Sequence, residues 1–180
     1  CPSWLTPPDP EATNISLDPG LAFGTGSHIS TSLCLRWLEQ ASLENTELID
    51  YGCGSGILAI AAALLGASKV HAVDNDKQAI VATIDNSCRN NIVGGVIKAY
   101  LPEALPELQA DILVANILAE PLLDLSFKFS GLVKPGGKIV LSGLLEDQVV
   151  ALITCYQKWF EIEKPLIDHE WGLLIGTRRA

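Results

Sequence analysis

From Glu47 onward, short apolar runs alternate with longer segments whose apolar residues recur at helical spacing. "ELIDYG" reads as a strand, "GILAIAAALLGA" as a helix ending at Gly66, and "KVHAVD" as a second strand. The pattern continues with helix "KQAIVATIDNSCRNN", strand "GVIKAY", the Pro-rich segment "LPEALPEL" and strand "ADILVANI". Helix "EPLLDLSFKFSGLV" and, after the turn "KPGG", strand "GKIVLSGL" complete the series. Strands this short and apolar, separated by helices, predict a parallel sheet covered on both faces and joined by right-handed crossovers. Ahead of them stands a glycine-dense loop, "LDPGLAFGTGSH". It leads into "ISTSLCLRWLEQ", where Leu33, Trp37 and Leu38 mark a helix.

The tail departs from this alternation. After helix "EDQVVALITCYQ" come two strand-like runs, "FEIEKPLI" and "WGLLIGTR", joined by a few residues that include Asp168 and Glu170. Such a link is too brief for a parallel crossover and suits an antiparallel hairpin. The expected class is α/β, doubly wound and Rossmann-like, with seven mostly parallel strands and an antiparallel C-terminal hairpin.

Composition narrows the class without changing it. At 180 residues, nearly half of them apolar, residues 1–180 read as one folded domain whose first 20 residues form a linker-like stretch. No run approaches the roughly 18 apolar residues of a membrane span, and the N-terminus lacks a basic region and an apolar signal core. A cytoplasmic protein without membrane association is expected. The cysteines (Cys1, Cys34, Cys53, Cys88, Cys155) are odd in number and lack CxxC spacing, so neither a disulfide framework nor a metal site is expected. A net charge of -9 argues against direct binding to nucleic acid and permits basic partners. Opening on Cys and a Pro-rich stretch, the chain reads as a piece of a longer protein.

The chemistry concentrates in "DYGCGSG", Asp50 to Gly56, at the handover from first strand to helix. Ligands of doubly wound folds sit at the carboxyl ends of the strands, where glycines let a ligand approach the main chain beside a helix N-terminus. Gly52, Gly54 and Gly56 fit that need, since a side chain at Gly52 or Gly54 would fill ligand space or forbid the backbone angles. Asp74 ends the second strand 22 residues past Gly52, near the ~20 expected of an acid that accepts from both ribose hydroxyls. Dinucleotides and S-adenosylmethionine both use this geometry. The dinucleotide fingerprint wants a small residue where Ile57 stands.

Glycines at alternate positions behind Asp50 resemble class I methyltransferases. The resemblance sharpens at "LDPGLAFGTGSHISTSLCLRWL", "IDYGCGSGILAIAAALLGA" and "VANILAEPL", and extends from "CPSW" to "EWGLLIGTR". Together these look like the methyltransferase family for ribosomal large-subunit protein eleven, PrmA. The resemblance implies S-adenosyl-L-methionine as cofactor, with S-adenosyl-L-homocysteine as product. It also implies methylation of lysine side-chain or N-terminal amines of that ribosomal protein, up to the trimethyl stage. Family members carry a separate N-terminal recognition domain, so this chain resembles the catalytic domain alone.

Residue by residue, the resemblance implies cofactor contacts at Thr31, Gly52, Asp74 and Asn116, and a loop of Phe23, Gly24, Thr25 and His28 over the methionine end. Relatives usually have His-Pro-Thr-Thr where this chain has "HIST", which loosens the loop yet keeps His28 and Thr31. His28 itself reads as a helix-capping neighbour, and Cys53 as a small space-filler without a basic partner. Asn116, a polar amide after the apolar run "DILVA", has few structural reasons to be there and is expected to orient the amine. "NILA" lacks the aromatic that stacks on planar acceptors in other methyltransferases, which suits a flexible aliphatic amine. Three alternatives stay open: a nicotinamide-dependent oxidoreductase, a non-catalytic S-adenosylmethionine-binding module, and a methyltransferase for another protein or small amine.

Overall fold

A computed structural model describes residues 9, 11–17 and 26–180. The elements run α1 Ile29–Gln40, β1 Glu47–Tyr51, α2 Ile57–Leu64, β2 Lys69–Val73, α3 Lys77–Arg89, β3 Ile97–Tyr100 and β4 Ala110–Asn116. They continue with α4 Ala119–Asp124, α5 Ser126–Leu132, β5 Val133–Leu145, α6 Val149–Tyr156, β6 Phe160–Ile162, β7 Leu166–Asp168 and β8 Trp171–Arg178. One sheet holds all the strands in the order β3-β2-β1-β4-β5-β8-β6, with β7 also on β8. Pairing is parallel from β3 through β5 and antiparallel around β8, as the short hairpin link requires.

Because strand side chains alternate between faces, the sheet sorts its residues into two cores. Leu48, Val70, Ile112, Val114 and Val140 pack against Leu33, Cys34 and Leu38 of α1 and the apolar length of α2. Ile49, Tyr51, Leu113, Ala115 and Leu141 face the other way, onto Leu122 of α4, Phe129 of α5 and Leu152 of α6. Helix α2 is apolar all round because it lies sandwiched: Ile57 through Ala62 are all buried. The same parity sends Asp50, Asn116 and Ser142 toward α1, and that fixes the composition of the site.

Three details differ from the sequence expectation. The helix expected over 120–133 is two helices meeting at Leu125; neither Gly nor Pro marks the break, and tertiary packing of Leu122, Ser126 and Phe129 sets it. "FEIEKPLI" is two strands, β6 and β7, on the same edge of β8. Pro165 lies between them and has no N–H for the ladder. Strand β5 starts at Val133 rather than 137. Its register with β4 jumps from Ala110↔Val133 to Ile112↔Lys138, so "KPGG" is looped out within the strand.

Ahead of α1, Ser16 and Asn90 exchange two hydrogen bonds: Ser16 N donates to Asn90 Oδ1, and Asn90 Nδ2 donates to Ser16 O, each 2.8 Å. Leu17 beside them is buried. The chain is thus moored to the C-terminal end of α3 shortly before it reaches the sheet's carboxyl edge.

Candidate functional site

The glycine turn is built from the inside out. Gly52, Gly54 and Gly56 all take positive φ, +86°, +53° and +82°, a region that side chains rarely enter. Gly56 is the N-cap of α2 and has no side chain to satisfy the first helical amides. Asp50 does so from the preceding strand: its Oδ2 accepts from Ala59 N at 2.9 Å. Its Oδ1 is buried with no hydrogen-bond partner among the described residues. Burial pushes the Asp50 carboxyl up to about 7; the Ala59 amide opposes this and the Asp74 charge adds to it.

The turn's own amides are spent internally. Gly52 N and Cys53 N both donate to Val73 O, at 2.7 and 3.0 Å, and Gly56 N donates to Cys53 O at 2.8 Å. Gly54 N donates to Asp74 Oδ2 at 2.9 Å, and the other Asp74 oxygen accepts from Asp76 N at 3.0 Å. Asp76 in turn caps α3 through Gln78 N. Asp74 therefore bridges the glycine turn and the α3 cap, with the remaining lone pairs of both oxygens available to a ligand. Cys53 is buried beside Thr83, whose hydroxyl approaches Cys53 Sγ at 3.3 Å, and desolvation drives its thiol pKa upward. It fills space, as its lack of a basic neighbour implies.

A cavity of about 760 Å³ opens over this turn at the carboxyl ends of the strands, a size that suits a small-molecule ligand. Thr31, Gly52, Gly54, Asp74 and Asn116 all line it, as does His28. Asn116 Nδ2 donates to Thr31 Oγ1 at 3.0 Å, joining the end of β4 to the first turn of α1. His28 caps α1: Ser30 N donates to its Nδ1 at 3.3 Å. Since an amide can only donate, Nδ1 is the acceptor in this bond. Phe23, Gly24 and Thr25 lie outside the described residues.

Gly52, with its φ of +86°, fits the backbone-angle reason read in the sequence and adds a second one. A Cβ there would collide with Ile117 Cγ2, so the position is kept bare for a protein side chain before any ligand arrives. Sequence reasoning also missed Trp171, Tyr51 and Gly143, which line the same cavity. The Trp171 ring meets His28 edge-on at 4.5 Å between centroids. Lys128 Nζ donates to Tyr51 OH at 2.9 Å. A glycine inside the strand-like run "GKIVLSGL" is itself a signal for a bulge or close backbone approach; for Trp171 only the antiparallel pairing that brings it beside Leu145 reveals its place.

The whole of residues 1–179 matches the family model described as ribosomal protein L11 methyltransferase (PrmA). Over 179 residues the chain is 52% identical to the ribosomal protein L11 methyltransferase of Nitrosococcus oceani, covering 99% of this chain and 61% of that protein. For the protein of the same name from Alkalilimnicola ehrlichii the identity is 55% over 180 residues, covering 99% and 61%. The chain thus spans about three fifths of the length of these relatives. Among solved structures, the ribosomal protein L11 methylase of Lactobacillus delbrueckii subsp. bulgaricus superposes with a TM-score of 0.87 at 33% identity, over 98% of this chain and 91% of that one. A methyltransferase from Pyrococcus furiosus, 14% identical, shares the fold with a TM-score of 0.72 over 92% and 90% of the two chains.

Proposed function

The chain belongs to the ribosomal protein L11 methyltransferase (PrmA) family, and on that premise we propose that its cavity binds S-adenosyl-L-methionine and that the domain N-methylates amines of ribosomal protein L11. One observation carries the cofactor assignment: the glycine turn has used its own amides and is flanked by two carboxylates, Asp50 and Asp74. A pyrophosphate needs free main-chain donors and a positive local field. Here Gly52, Cys53, Gly54 and Gly56 offer none of theirs. A ligand that is cationic at its reacting end and neutral at its ribose suits the same surroundings. This argues against a nicotinamide dinucleotide on physical grounds that are independent of Ile57.

Asp74 would accept from the ribose hydroxyls, and Thr31 and Asn116 would stand at the methionine end. S-adenosylmethionine, when bound, would supply a methyl group on a sulfonium whose leaving group is a neutral thioether. The chain then has little covalent chemistry to do, and holding the amine lone pair ~3 to 3.5 Å from that methyl can account for most of the acceleration. A free lysine, with its pKa near 10.4, is mostly ammonium at neutral pH. Desolvation within the cavity lowers that value, and the proton leaves to water. Asn116, held by Thr31, orients the amine through its carbonyl oxygen, which no described residue engages. Aliphatic Ile117 and Leu118, in place of an aromatic platform, suit a flexible amine. This reading makes ribosomal protein L11 the partner and the cytoplasm the place of action.

Two measurements test it. Calorimetry with S-adenosylhomocysteine and with NADH should give heat for the first alone; binding of NADH in its place sinks the cofactor assignment. Incubation with methyl-labelled cofactor and ribosomal protein L11, with and without an added N-terminal recognition domain, should label lysine or N-terminal nitrogens. Cofactor binding with no transfer in either arm would leave a non-catalytic binding module.

A further inference from the structure

Strand β5 does not run evenly along its antiparallel neighbour. Leu141 pairs with Leu174, yet Leu144 pairs with Gly172. Ser142 and Gly143 therefore share the position opposite Leu173, which makes a one-residue bulge. Bulges concentrate beside functional sites because they re-aim the chain. Ser142 is fully buried and donates its hydroxyl to Gly172 O at 2.9 Å, which ties the bulge to β8. Gly143 takes φ +82°.

On its other edge β5 keeps parallel register with β4 as far as Asn116↔Ser142. The next residue of β4's run, Ile117, then lays its main chain across the bare Cα of Gly143. A Cβ at Gly143 would stand 2.8 Å from Ile117 C and 3.0 Å from Ile117 N, and would also collide with Ile117 O. This is backbone against backbone, so no rotamer change relieves it. Gly143 lines the same cavity as Asn116 and Leu118, the two neighbours of Ile117.

We propose that the Ser142–Gly143 bulge is the positioning device of the amine-acceptor end of the cavity: it seats the Ile117 peptide and thereby sets the Asn116 amide against Thr31. The inference rests on the methyl-transfer reading above. It assigns the bulge itself no contact with cofactor and acts only through Asn116, one of several groups at the cofactor, so transfer rate falls far more than product affinity. A Cβ at position 143 displaces the Ile117 peptide and swings Asn116 away from its alignment. Misplacement of about 1 Å in a positioned reaction can cost on the order of 100-fold in rate.

The test compares Gly143→Ala with Gly136→Ala in the same strand. Gly136 also has a positive φ, +79°, but nothing lies within 4 Å of the Cβ it would gain. Both variants therefore carry the torsional cost, and only Gly143→Ala carries the collision. Competent sites are counted by titration with S-adenosylhomocysteine, and kcat at saturating ribosomal protein L11 is expressed per site. Gly143→Ala is expected to lose about 30-fold or more in kcat with product affinity within about threefold of wild type, while Gly136→Ala stays within about twofold. If Gly143→Ala does not fold, Ser142→Ala, which frees the bulge from Gly172 O without adding a Cβ at 143, should lose about fivefold in kcat at unchanged product affinity. Retention of full kcat by Gly143→Ala, a parallel loss of affinity and kcat, or full activity of Ser142→Ala beside an unfolded Gly143→Ala overturns the proposal. A wild type that binds product and transfers no methyl group, with or without an added N-terminal recognition domain, overturns the functional reading instead, and this inference with it.

Discussion

Asn116 and Thr31, 85 residues apart in sequence, meet by a hydrogen bond of 3.0 Å from Asn116 Nδ2 to Thr31 Oγ1. The bond exists because the sheet's parity turns Asn116 to the α1 face, where Thr31 is buried in the first helical turn. It leaves the Asn116 carbonyl oxygen as the group that can accept from an amine. Asn116→Ala should therefore lower transfer by about 100-fold. Thr31→Val, which leaves Asn116 in place but unanchored, should lower it by about fivefold, since a lost neutral hydrogen bond is worth ~1 kcal/mol. The two losses should not add, because both remove one arrangement. Steady-state kinetics on the three variants checks this, and strictly additive losses would dissociate the pair.

Asp74 carries a different burden. Its carboxylate joins Gly54 N to Asp76 N and would also meet the ribose. Asp74→Ala removes two charge-assisted acceptors at about 1.5 kcal/mol each, which predicts roughly 100-fold weaker binding of S-adenosylhomocysteine. Asp74→Asn keeps the shape and one acceptor and should fall between. Equal affinity in Asp74→Ala, measured by calorimetry, would remove Asp74 from the cofactor site.

Gly52 gives a prediction that separates two causes. Gly52→Ala suffers both a φ of +86° and a collision with Ile117 Cγ2, and each contributes about 1 to 3 kcal/mol of strain. Ile117→Ala removes the colliding methyl and leaves the torsion. The double variant should thus be more stable than the sum of the single effects implies, by about 1 kcal/mol or more. Urea denaturation of the four proteins completes the cycle, and a coupling of zero would show that the backbone angle alone demands glycine.

These residues also show what a sequence reveals and what it hides. Strands β1, β2 and β4 were readable because unbroken apolar runs of that length fit a sheet covered on both faces, and the glycine turn because alternate glycines have few other uses. Asp74 and Asn116 were readable as polar residues at strand ends. The use of Asp50 as a cap for α2 was not, because its partner, Ala59 N, lies across a turn whose geometry only the glycines' φ values define. Nor was the seat of Ile117 between Gly52 and Gly143, which depends on strands that are neighbours only once folded. The break at Leu125 has no local mark at all, since tertiary packing overrides a helix-compatible sequence there.

Asp50 couples the site to pH through stability. The groups around it are Cys34 of α1, Cys53 and Asp74 of the site, the Ala59 amide of α2, and Ser142 of β5 beside Cys34. None is a cation, so burial holds the folded-state pKa up at about 7, against about 3.9 for an unfolded aspartate. An acid raised on folding binds its proton more tightly in the folded state, so its contribution to stability falls as pH rises from about 4 to about 7 and is level above that. At 1.36 kcal/mol per unit the span is on the order of 4 kcal/mol at most. Asp50→Asn keeps an oxygen for Ala59 N and has no charge to bury. The variant should match or trail the wild type near pH 4 and gain on it steadily toward neutrality. Urea denaturation of both proteins from pH 4 to 8.5 tests this difference. Parallel stability curves would mean that Asp50 is ionised throughout, with its charge balanced by something other than the neighbours named here.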